Sequence, residues 1–246
     1  MLKIILYCKD KAGFEKQKTA VSEAGFGDLE LLFGNSEAKS REQLINENQN
    51  CWLLFLDHDC VPTEWARAEC ERLVSQSGNL RPIVFAGGYD NPEGASLLQL
   101  AHNKIANTWL EHSYSARQHT KVLLGGNFLI CAVKKIDLPK EKFWGAEDKL
   151  LARELKSAGY ELHLNEKLKV VHATNKSFSH FLKRAFVHGR HDAVYFGDEK
   201  GAKIFYWIQK TGFSDLRLVP LILLHFCIQK AAKTVQKVLP PSKQKR

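Results

Sequence analysis

The sequence lacks several features that would place it in a specialised class of protein. Its six cysteines contain no C-x-x-C pair and no spacing typical of a zinc site. No secretory signal peptide is recognisable, and 16 glycines and 7 prolines in 246 residues are too few for collagen-like or low-complexity sequence. We therefore expect a cytosolic globular protein whose cysteines are reduced thiols.

Acidic residues are absent from residue 229 to the last residue, and this stretch holds six basic residues. The whole chain has a net charge of +9, so the part before residue 229 is only mildly basic, at +3. A basic chain favours anionic partners, which include nucleic acid, anionic lipid and phosphorylated small molecules. Because the excess charge is concentrated at one end, we do not expect a nucleic-acid-binding protein.

Apolar segments alternate with helix-favouring segments in the first quarter of the chain. Strands are predicted at 2–7, 29–33 and 51–56, and helices at 14–24 and 37–48. This alternation predicts an α/β fold in which helices cover both faces of a mostly parallel sheet. Ligands of such folds bind at the carboxyl ends of the strands.

Further elements follow along the chain. Helices are predicted at 62–75, 96–112, 147–158 and 178–195, and short strands at 83–86, 161–164 and 169–171. The apolar segment 122–130 contains Gly125-Gly126-Asn127, and this break predicts a tight bend or a close approach of the backbone to a ligand.

Three groups of residues could carry chemistry. Asp57-His58-Asp59 follows the most apolar strand, where two carboxylates can share a divalent cation or lie in a solvated turn. Glu147 and Asp148 begin a predicted helix, where they could supply a general base or only complement the helix dipole. His172 ends a short apolar strand, where it could be a metal ligand or a structural histidine.

Taken in order, these motifs resemble the family 2 glycosyltransferases of the GT-A fold. The resemblance covers about residues 1 to 190 and rests on the segments Leu53–Asp59, Gly125–Asn127, Trp144–Asp148, Ala158–Tyr160 and Val170–His172, with Arg41 and Arg153. It implies a GT-A-like, Rossmann-type α/β/α sandwich with a C-terminal helical extension. It also implies an inverting, metal-dependent transfer of a sugar from a nucleotide-sugar to a hydroxyl of a saccharide or lipid-linked acceptor, in surface polysaccharide synthesis.

The resemblance also implies roles for individual residues. Asp148 would be the general base and Glu147 would orient the acceptor. Mn²⁺ or Mg²⁺ would be held by Asp57, Asp59 and His172. The donor nucleotide would be bound by Tyr7, Asn35, Arg41, Asp57, Arg184 and Arg190, and the acceptor side would be shaped by Gly125, Gly126, Asn127 and Trp144.

The sequence departs from the family pattern at three places. The first strand leads into Tyr7-Cys8-Lys9-Asp10 and the second into Phe33-Gly34-Asn35-Ser36, so the usual nucleotide-binding residues are replaced. The Gly-Gly-Phe-Asp segment expected before the acidic pair is missing. These departures leave the nucleotide and the acceptor open.

The C-terminal segment predicts a basic amphipathic helix. Leu221, Leu224, Ile228, Ala232, Val235 and Leu239 would form its apolar face, opposite Lys230, Lys233 and Lys237. Residues 218–229 are uncharged, which is shorter than the roughly 20 apolar residues of a membrane span. Such a helix lies in a membrane interface or packs on the domain, and both remain open.

The predicted organisation is a catalytic domain at 1–195, a helical and membrane-associating segment at 196–239, and a basic tail at 240–246. The expected location is the cytoplasm or the cytoplasmic face of the inner membrane. Two alternative functions are a nucleotidyltransferase on a related fold and a non-catalytic basic module that binds membrane or nucleic acid. The first is disfavoured because the loop after the first strand has a single glycine, Gly13.

Overall fold

The structure is a computed structural model. It describes residues 1–35, 40–76, 80–114, 122–138, 147–174, 177–195 and 213–238. The predicted site residue Trp144 and the predicted tail at 240–246 lie outside these ranges, as does the side chain of Glu147.

Seven strands form one sheet in the order β2-β1-β3-β6-β5-β7-β4. Their bounds are β1 Leu2–Tyr7, β2 Glu30–Gly34, β3 Cys51–Asp57, β4 Cys60–Pro62, β5 Ile83–Asp90, β6 Phe128–Ala132 and β7 Glu161–His172. Among the described residues, three pairings are parallel (β1 with β2, β1 with β3, β5 with β7) and three are antiparallel. The α/β class with a mostly parallel sheet is as predicted, since five of the seven strands run in one direction. The exceptions are β6, which is antiparallel to its neighbours β3 and β5, and the edge strand β4.

Seven α-helices are described. Their bounds are α1 Lys11–Val21, α2 Arg41–Glu47, α3 Glu64–Gln76, α4 Leu97–Ser113, α5 Glu147–Ser157, α6 Phe178–Tyr195 and α7 Val219–Val238. Helix α1 begins three residues earlier than predicted because the Asp10 side chain accepts a hydrogen bond from the Gly13 amide and caps it. A π-helical turn follows at Ser22–Phe26, in which Gly25 has φ +87°.

One helix prediction and one strand prediction are corrected. The predicted helix at 62–75 starts later, since residues 60–62 form the edge strand β4, which pairs with β7. The two short strands predicted at 161–164 and 169–171 are one continuous strand, β7, with an irregularity in its pairing to β5 between Ala86 and Gly88. The predicted bounds match the two stretches of β7 that pair with β5, 161–164 and 169–171, and the register skips the four residues between them.

The chain divides into two compact units. The first comprises Met1–Pro92, Leu110–Lys140 and Asp148–Ala173, and the second Glu93–Trp109, Glu141–Glu147 and Thr174–Arg246. The units interleave along the chain, whereas the sequence predicts consecutive segments. The assignment of catalysis to residues 1–195 and of membrane association to residues 196–239 stays a prediction. The core of the first unit is built on the five fully buried residues of β3, Trp52 to Leu56.

The second unit has its own apolar cluster. It contains the buried residues Ala101, Ile105, Phe181, Leu218 and Ile222. The stretch Asp215–Val238 is, by length and composition alone, sufficient for a membrane span, contrary to the expectation from its twelve uncharged residues.

The buried face of α7 differs in part from the predicted one. Ala232 of the predicted apolar face is buried, but Leu224 and Val235 are exposed, and Leu239 lies outside the described residues. Ile222 and His225, which the sequence does not predict for this face, are buried. Residues 221–224 are four consecutive apolar residues, so periodicity could not decide which of them faces the interior. Packing of Ile222 into the apolar cluster decided it.

Candidate active site

The candidate site lies at the carboxyl ends of three neighbouring parallel strands. In the register of the sheet, Tyr7 at the end of β1 lies between Gly34 of β2 and Asp57 of β3. A Cβ atom on Gly34 would lie 2.8 Å from the Tyr7 ring, so a glycine is required beside that ring. The next residue, Asn35, donates from its side chain to the Lys9 carbonyl at 3.5 Å. These predicted donor-binding residues therefore share one edge of the sheet.

Arg41 connects several of the predicted residues. Its Nη2 atom donates to Asp57 Oδ1 at 2.8 Å and to the Gly125 carbonyl at 3.3 Å, and its Nη1 atom lies 4.0 Å from Asp148 Oδ1. Its guanidinium carbon also lies 4.3 Å from the centre of the Tyr7 ring, within range of a cation–π interaction. The Arg41 side chain is 9% exposed, so it is a fixed internal cation.

A capping box positions this arginine. The Ser40 hydroxyl accepts from the Gln43 amide at 3.2 Å, and the Gln43 side chain accepts from the Ser40 amide at 2.9 Å. Arg41 is the first residue of α2, and this cap sets its direction toward the end of β3.

The Gly125-Gly126 pair forms a tight turn against the site. The turn is closed by the bond from the Asn127 amide to the Leu124 carbonyl, at 2.9 Å. A Cβ atom on Gly125 would lie 2.2 Å from Asp148 Oδ1, and one on Gly126 would lie 2.6 Å from Cys60 Sγ. The predicted tight bend is therefore present, and side chains of the site lie against it.

Asn127 has a different position from the two glycines. It is fully buried, and its side-chain amide donates to the carbonyls of Gly88 and Leu168, both at 2.8 Å. It therefore joins the turn to β5 and to the segment before the end of β7. This arrangement gives Asn127 a positioning function for the turn.

Asp59 and His172 lie together, with a third residue that sequence reasoning missed. His172 Nε2 is 3.4 Å from Asp59 Oδ2, and Cys60 Sγ is 3.9 Å from Asp59 Oδ1. One ligand atom from each of the three residues lies within 4.8 Å of the others. Oxygen, nitrogen and sulfur donors at this spacing suit a divalent cation. Asp57, the other predicted metal ligand, is hydrogen-bonded to Arg41 instead.

Helix α1 supports this region through Gln17, which sequence reasoning also missed. Its buried side-chain amide donates to the carbonyls of Asp57 and Cys60, the latter at 2.9 Å. The Cys8 thiol donates to Gln17 Oε1 at 2.9 Å. Burial, and secondly the charges of Asp57 and Asp10, raise the pKa of Cys8 to about 12, so this thiol stays protonated and keeps its donor.

The Tyr89 side chain is also part of the site. Its ring stacks on His172, with 4.0 Å between the ring centres. Burial raises the pKa of Tyr89 well above its usual value, and the nearby Cys60, Asp57, Asp148 and Asp59 add to the shift. Tyr89 is therefore a neutral hydroxyl among acidic groups, a position that no sequence motif indicated.

The remaining predicted residues are placed as follows. Asp148 is the second residue of α5, and its side chain is 43% exposed. Arg184 and Arg190 belong to α6 in the second unit, where Arg184 donates to Thr174 Oγ1 at 3.1 Å and Arg190 to Gln236 Oε1 at 2.8 Å. Their contact with a donor diphosphate stays a prediction.

No protein-family model matches the chain, and no curated protein matches it. Among solved structures, Staphylococcus aureus TarS 1-349 in complex with UDP-GlcNAc is 12% identical, over 97% of this chain and 76% of that chain, with a TM-score of 0.50. A second TarS 1-349 structure is 11% identical over 98% of this chain and 76% of that chain, with a TM-score of 0.47. A mycobacterial protein is 14% identical over 78% and 72%, with a TM-score of 0.46.

At these identities the likeness shows the fold alone. The predicted GT-A-like α/β fold with a C-terminal helix is confirmed. Membership of family 2 stays a prediction.

Proposed function

We propose that this protein is a glycosyltransferase that moves a sugar from a nucleotide-sugar donor to an acceptor hydroxyl, with inversion. One observation carries the proposal: Arg41 brings Asp57, at the end of β3, and Asp148, at the start of α5, to one guanidinium beside the Gly125-Gly126 turn. A displacement at an anomeric carbon needs a base on one face and a stabilised leaving group on the other. Asp148 supplies the proposed base, and the residues that follow β3 supply the stabilisation of the leaving group.

Asp148 is the proposed base. It accepts the proton of the acceptor hydroxyl while the acceptor oxygen bonds to the anomeric carbon, and the bond from that carbon to the nucleoside diphosphate breaks with its electron pair on the phosphate oxygen. Its partial exposure leaves an oxygen accessible to an acceptor. The close fit of Gly125 against Asp148 Oδ1 restricts the carboxylate to one side of the turn. Glu147, its neighbour, is proposed to orient the acceptor.

Asp59 and His172 are proposed to hold a divalent cation. Their carboxylate and imidazole atoms are 3.4 Å apart and fit such an ion. When bound, the ion neutralises the charge that develops on the leaving diphosphate. Asp57, held by Arg41, is proposed to contact the donor ribose or to support the ion through water.

The donor is proposed to be a UDP-sugar. Support comes from the likeness in fold to TarS in complex with UDP-GlcNAc. The edge formed by Tyr7, Gly34 and Asn35 supplies an aromatic ring and an amide for the base and ribose. Arg184 and Arg190 are proposed to contact the diphosphate.

The acceptor is proposed to be a glycan or a lipid-linked saccharide used for surface polysaccharide, at the cytoplasmic face of the membrane. Helix α7 supports this location. Leu224, Val235 and Val238 are exposed on it, and Lys230 and Lys237 are exposed on the same helix. A helix that exposes both apolar side chains and lysines favours contact with an anionic lipid surface.

The proposal is tested with the full chain and a panel of nucleotide-sugars. We expect one UDP-sugar to raise the melting temperature in the presence of Mn²⁺, because a ligand that binds the folded state stabilises it. The same compound should be hydrolysed slowly with release of UDP and a free sugar. No shift with any donor would contradict the proposal, and release of pyrophosphate from a nucleoside triphosphate would favour a nucleotidyltransferase.

A further inference from the structure

We propose that Cys60 is a third ligand of the cation held by Asp59 and His172, and that the site therefore takes transition-metal cations in preference to Mg²⁺. This inference rests on the proposed function only for the use of the cation. The presence of the cation is tested separately, by its binding.

The backbone places Cys60 and His172 on the same side of the sheet. The two residues are directly opposite each other in the antiparallel pairing of β4 with β7. Side chains of directly opposed residues project from the same face, with Cβ atoms about 4.5–5.5 Å apart. The Ala173 amide donates to the Asp59 carbonyl at 3.0 Å, so Asp59 is fixed to the same end of β7.

The spacing of the side-chain atoms suits one ion. Ligand bonds of about 2.0–2.3 Å in a tetrahedral arrangement put neighbouring ligand atoms roughly 3.3–3.8 Å apart. The observed separations are 3.4 Å from Asp59 Oδ2 to the His172 nitrogen and 3.9 Å from Asp59 Oδ1 to the Cys60 sulfur, and one ligand atom from each of the three residues lies within 4.8 Å of the others. A small adjustment of side-chain torsions therefore brings all three atoms to one cation.

The surroundings support ligation by the sulfur. Cys60 and His172 are buried, and the partly exposed Asp59 is the accessible member of the three. Three protein ligands with one accessible side are typical of catalytic metal sites, which keep a position for substrate. Tyr89 stacked on the imidazole and Gly126 against the sulfur limit the movement of both ligands.

The chemistry of the donor set decides the selectivity. A thiol binds a cation as the thiolate and releases its proton to solvent. Thiolate is a soft ligand that strongly favours Zn²⁺ and Co²⁺ over Mg²⁺, which prefers oxygen ligands alone. A site of two oxygen or nitrogen donors and one sulfur should therefore discriminate against Mg²⁺.

The experiment is a titration of the full-length chain with Co²⁺, followed by absorption. We expect a near-ultraviolet charge-transfer band from sulfur to Co²⁺, removal of the band by Zn²⁺, and no removal by a hundredfold excess of Mg²⁺. In Cys60→Ser the band should be lost and Zn²⁺ should bind at least about tenfold more weakly, given the 10–100-fold cost of losing even an outer-shell partner. Cys70→Ser and Cys227→Ser are the matched controls and should keep the band.

A second measurement needs no variant. X-ray absorption at the zinc edge of the wild-type complex should show one sulfur at about 2.3 Å. Absence of that sulfur, a band retained in Cys60→Ser, or displacement of Co²⁺ by Mg²⁺ would overturn the inference. A sulfur-ligated ion in a chain that binds no nucleotide-sugar would contradict the proposed function and leave this inference standing. Binding of a nucleotide-sugar without sulfur ligation of the ion would overturn this inference and leave the proposed function standing.

Discussion

Arg41 and Asp57 form a hydrogen-bonded ion pair, with 2.8 Å between Nη2 and Oδ1, across 16 residues of sequence. The arginine is buried and the aspartate side chain is 31% exposed, so the pair links the interior of the first unit to its surface. The same guanidinium approaches Asp148. One buried cation therefore lies close to both of the carboxylates to which we assign different functions.

Replacing this arginine tests the link. Arg41→Ala should destabilise the fold by about 1–3 kcal/mol, since a partly buried carboxylate loses its partner while solvent screens part of the loss. Donor binding should weaken as well. Chemical denaturation and donor titration measure the two effects. Arg67→Ala, which removes ion pairs to the more exposed Asp28 and Glu71, is the control and should cost less than 1 kcal/mol. If both variants changed stability and donor affinity equally, Arg41 would be no more important to the site than a surface arginine.

Asp148→Asn separates catalysis from binding. The amide keeps the shape of the carboxylate but cannot accept the acceptor proton, so the transfer rate should fall by about 10²–10⁴-fold with little change in donor affinity. Transfer assays and donor titration check both. Glu154→Gln, on the same helix and paired with Arg153, should leave both unchanged. Normal turnover in Asp148→Asn would exclude this residue as the base.

Gly125→Ala tests the close fit of the turn. The added Cβ would lie 2.2 Å from Asp148 Oδ1 and 2.9 Å from Arg41 Nη2, so the site must shift. We expect a loss of about 1–3 kcal/mol in the free energy of unfolding and a large loss of activity. Gly13→Ala is the control, because its Cβ would be 3.4 Å from its nearest neighbour and alanine favours helix α1. This control should gain about 0.5–1 kcal/mol.

His225 predicts a dependence of stability on pH. Burial, and secondly the charge of Arg184, lower its pKa to about 4 from a usual 6.5. The unfolded chain binds a proton at a pH where the folded chain does not, so stability is full above about 6.5 and falls as the pH drops toward 4. The loss attributable to this group is on the order of 3 kcal/mol.

Urea denaturation of wild type and His225→Gln at pH 7 and pH 4.5 measures this slope. The variant should lose much of the difference between the two conditions, whereas His163→Gln, at an exposed position, should keep it. An unchanged slope in His225→Gln would show that another group causes the acid sensitivity. Arg72 lowers the pKa of the Glu69 carboxyl to about 2. This group therefore adds to the loss of stability only below about pH 4.5.

The exposed side of α7 predicts binding to anionic membranes. The full chain should sediment with vesicles that contain phosphatidylglycerol and not with pure phosphatidylcholine. Replacing Lys230 and Lys237 by Gln should weaken binding by about 30-fold at low salt, at about 1 kcal/mol for each lysine. Leu224→Glu should abolish it, whereas Leu80→Glu, exposed in the first unit, should not. Equal sedimentation with both kinds of vesicle would contradict an electrostatic contribution.

Much of the fold could be predicted because its signals are local. The apolar run of β3 and the break at Gly125-Gly126 are patterns of adjacent residues, and each one appears in the structure as predicted or within a few residues. The antiparallel insertion of β6 between β3 and β5 was not predictable in this way. Strand order depends on which surfaces pack, and a period of two residues is the same in parallel and antiparallel strands.

The candidate site shows the same difference between local signals and long-range packing. By itself, the sequence determined which chemical groups are available and that Asp57 and Asp59 stand at the end of a buried strand, because side-chain chemistry and hydrophobic runs are local properties. Only the tertiary structure decided their partners. It directed Asp57 to Arg41, grouped Asp59 with His172 and Cys60 through the pairing of β4 with β7, and selected Ile222 rather than Leu224 for burial in α7. Each of these choices joins residues distant in sequence, and such contacts depend on how the whole chain packs.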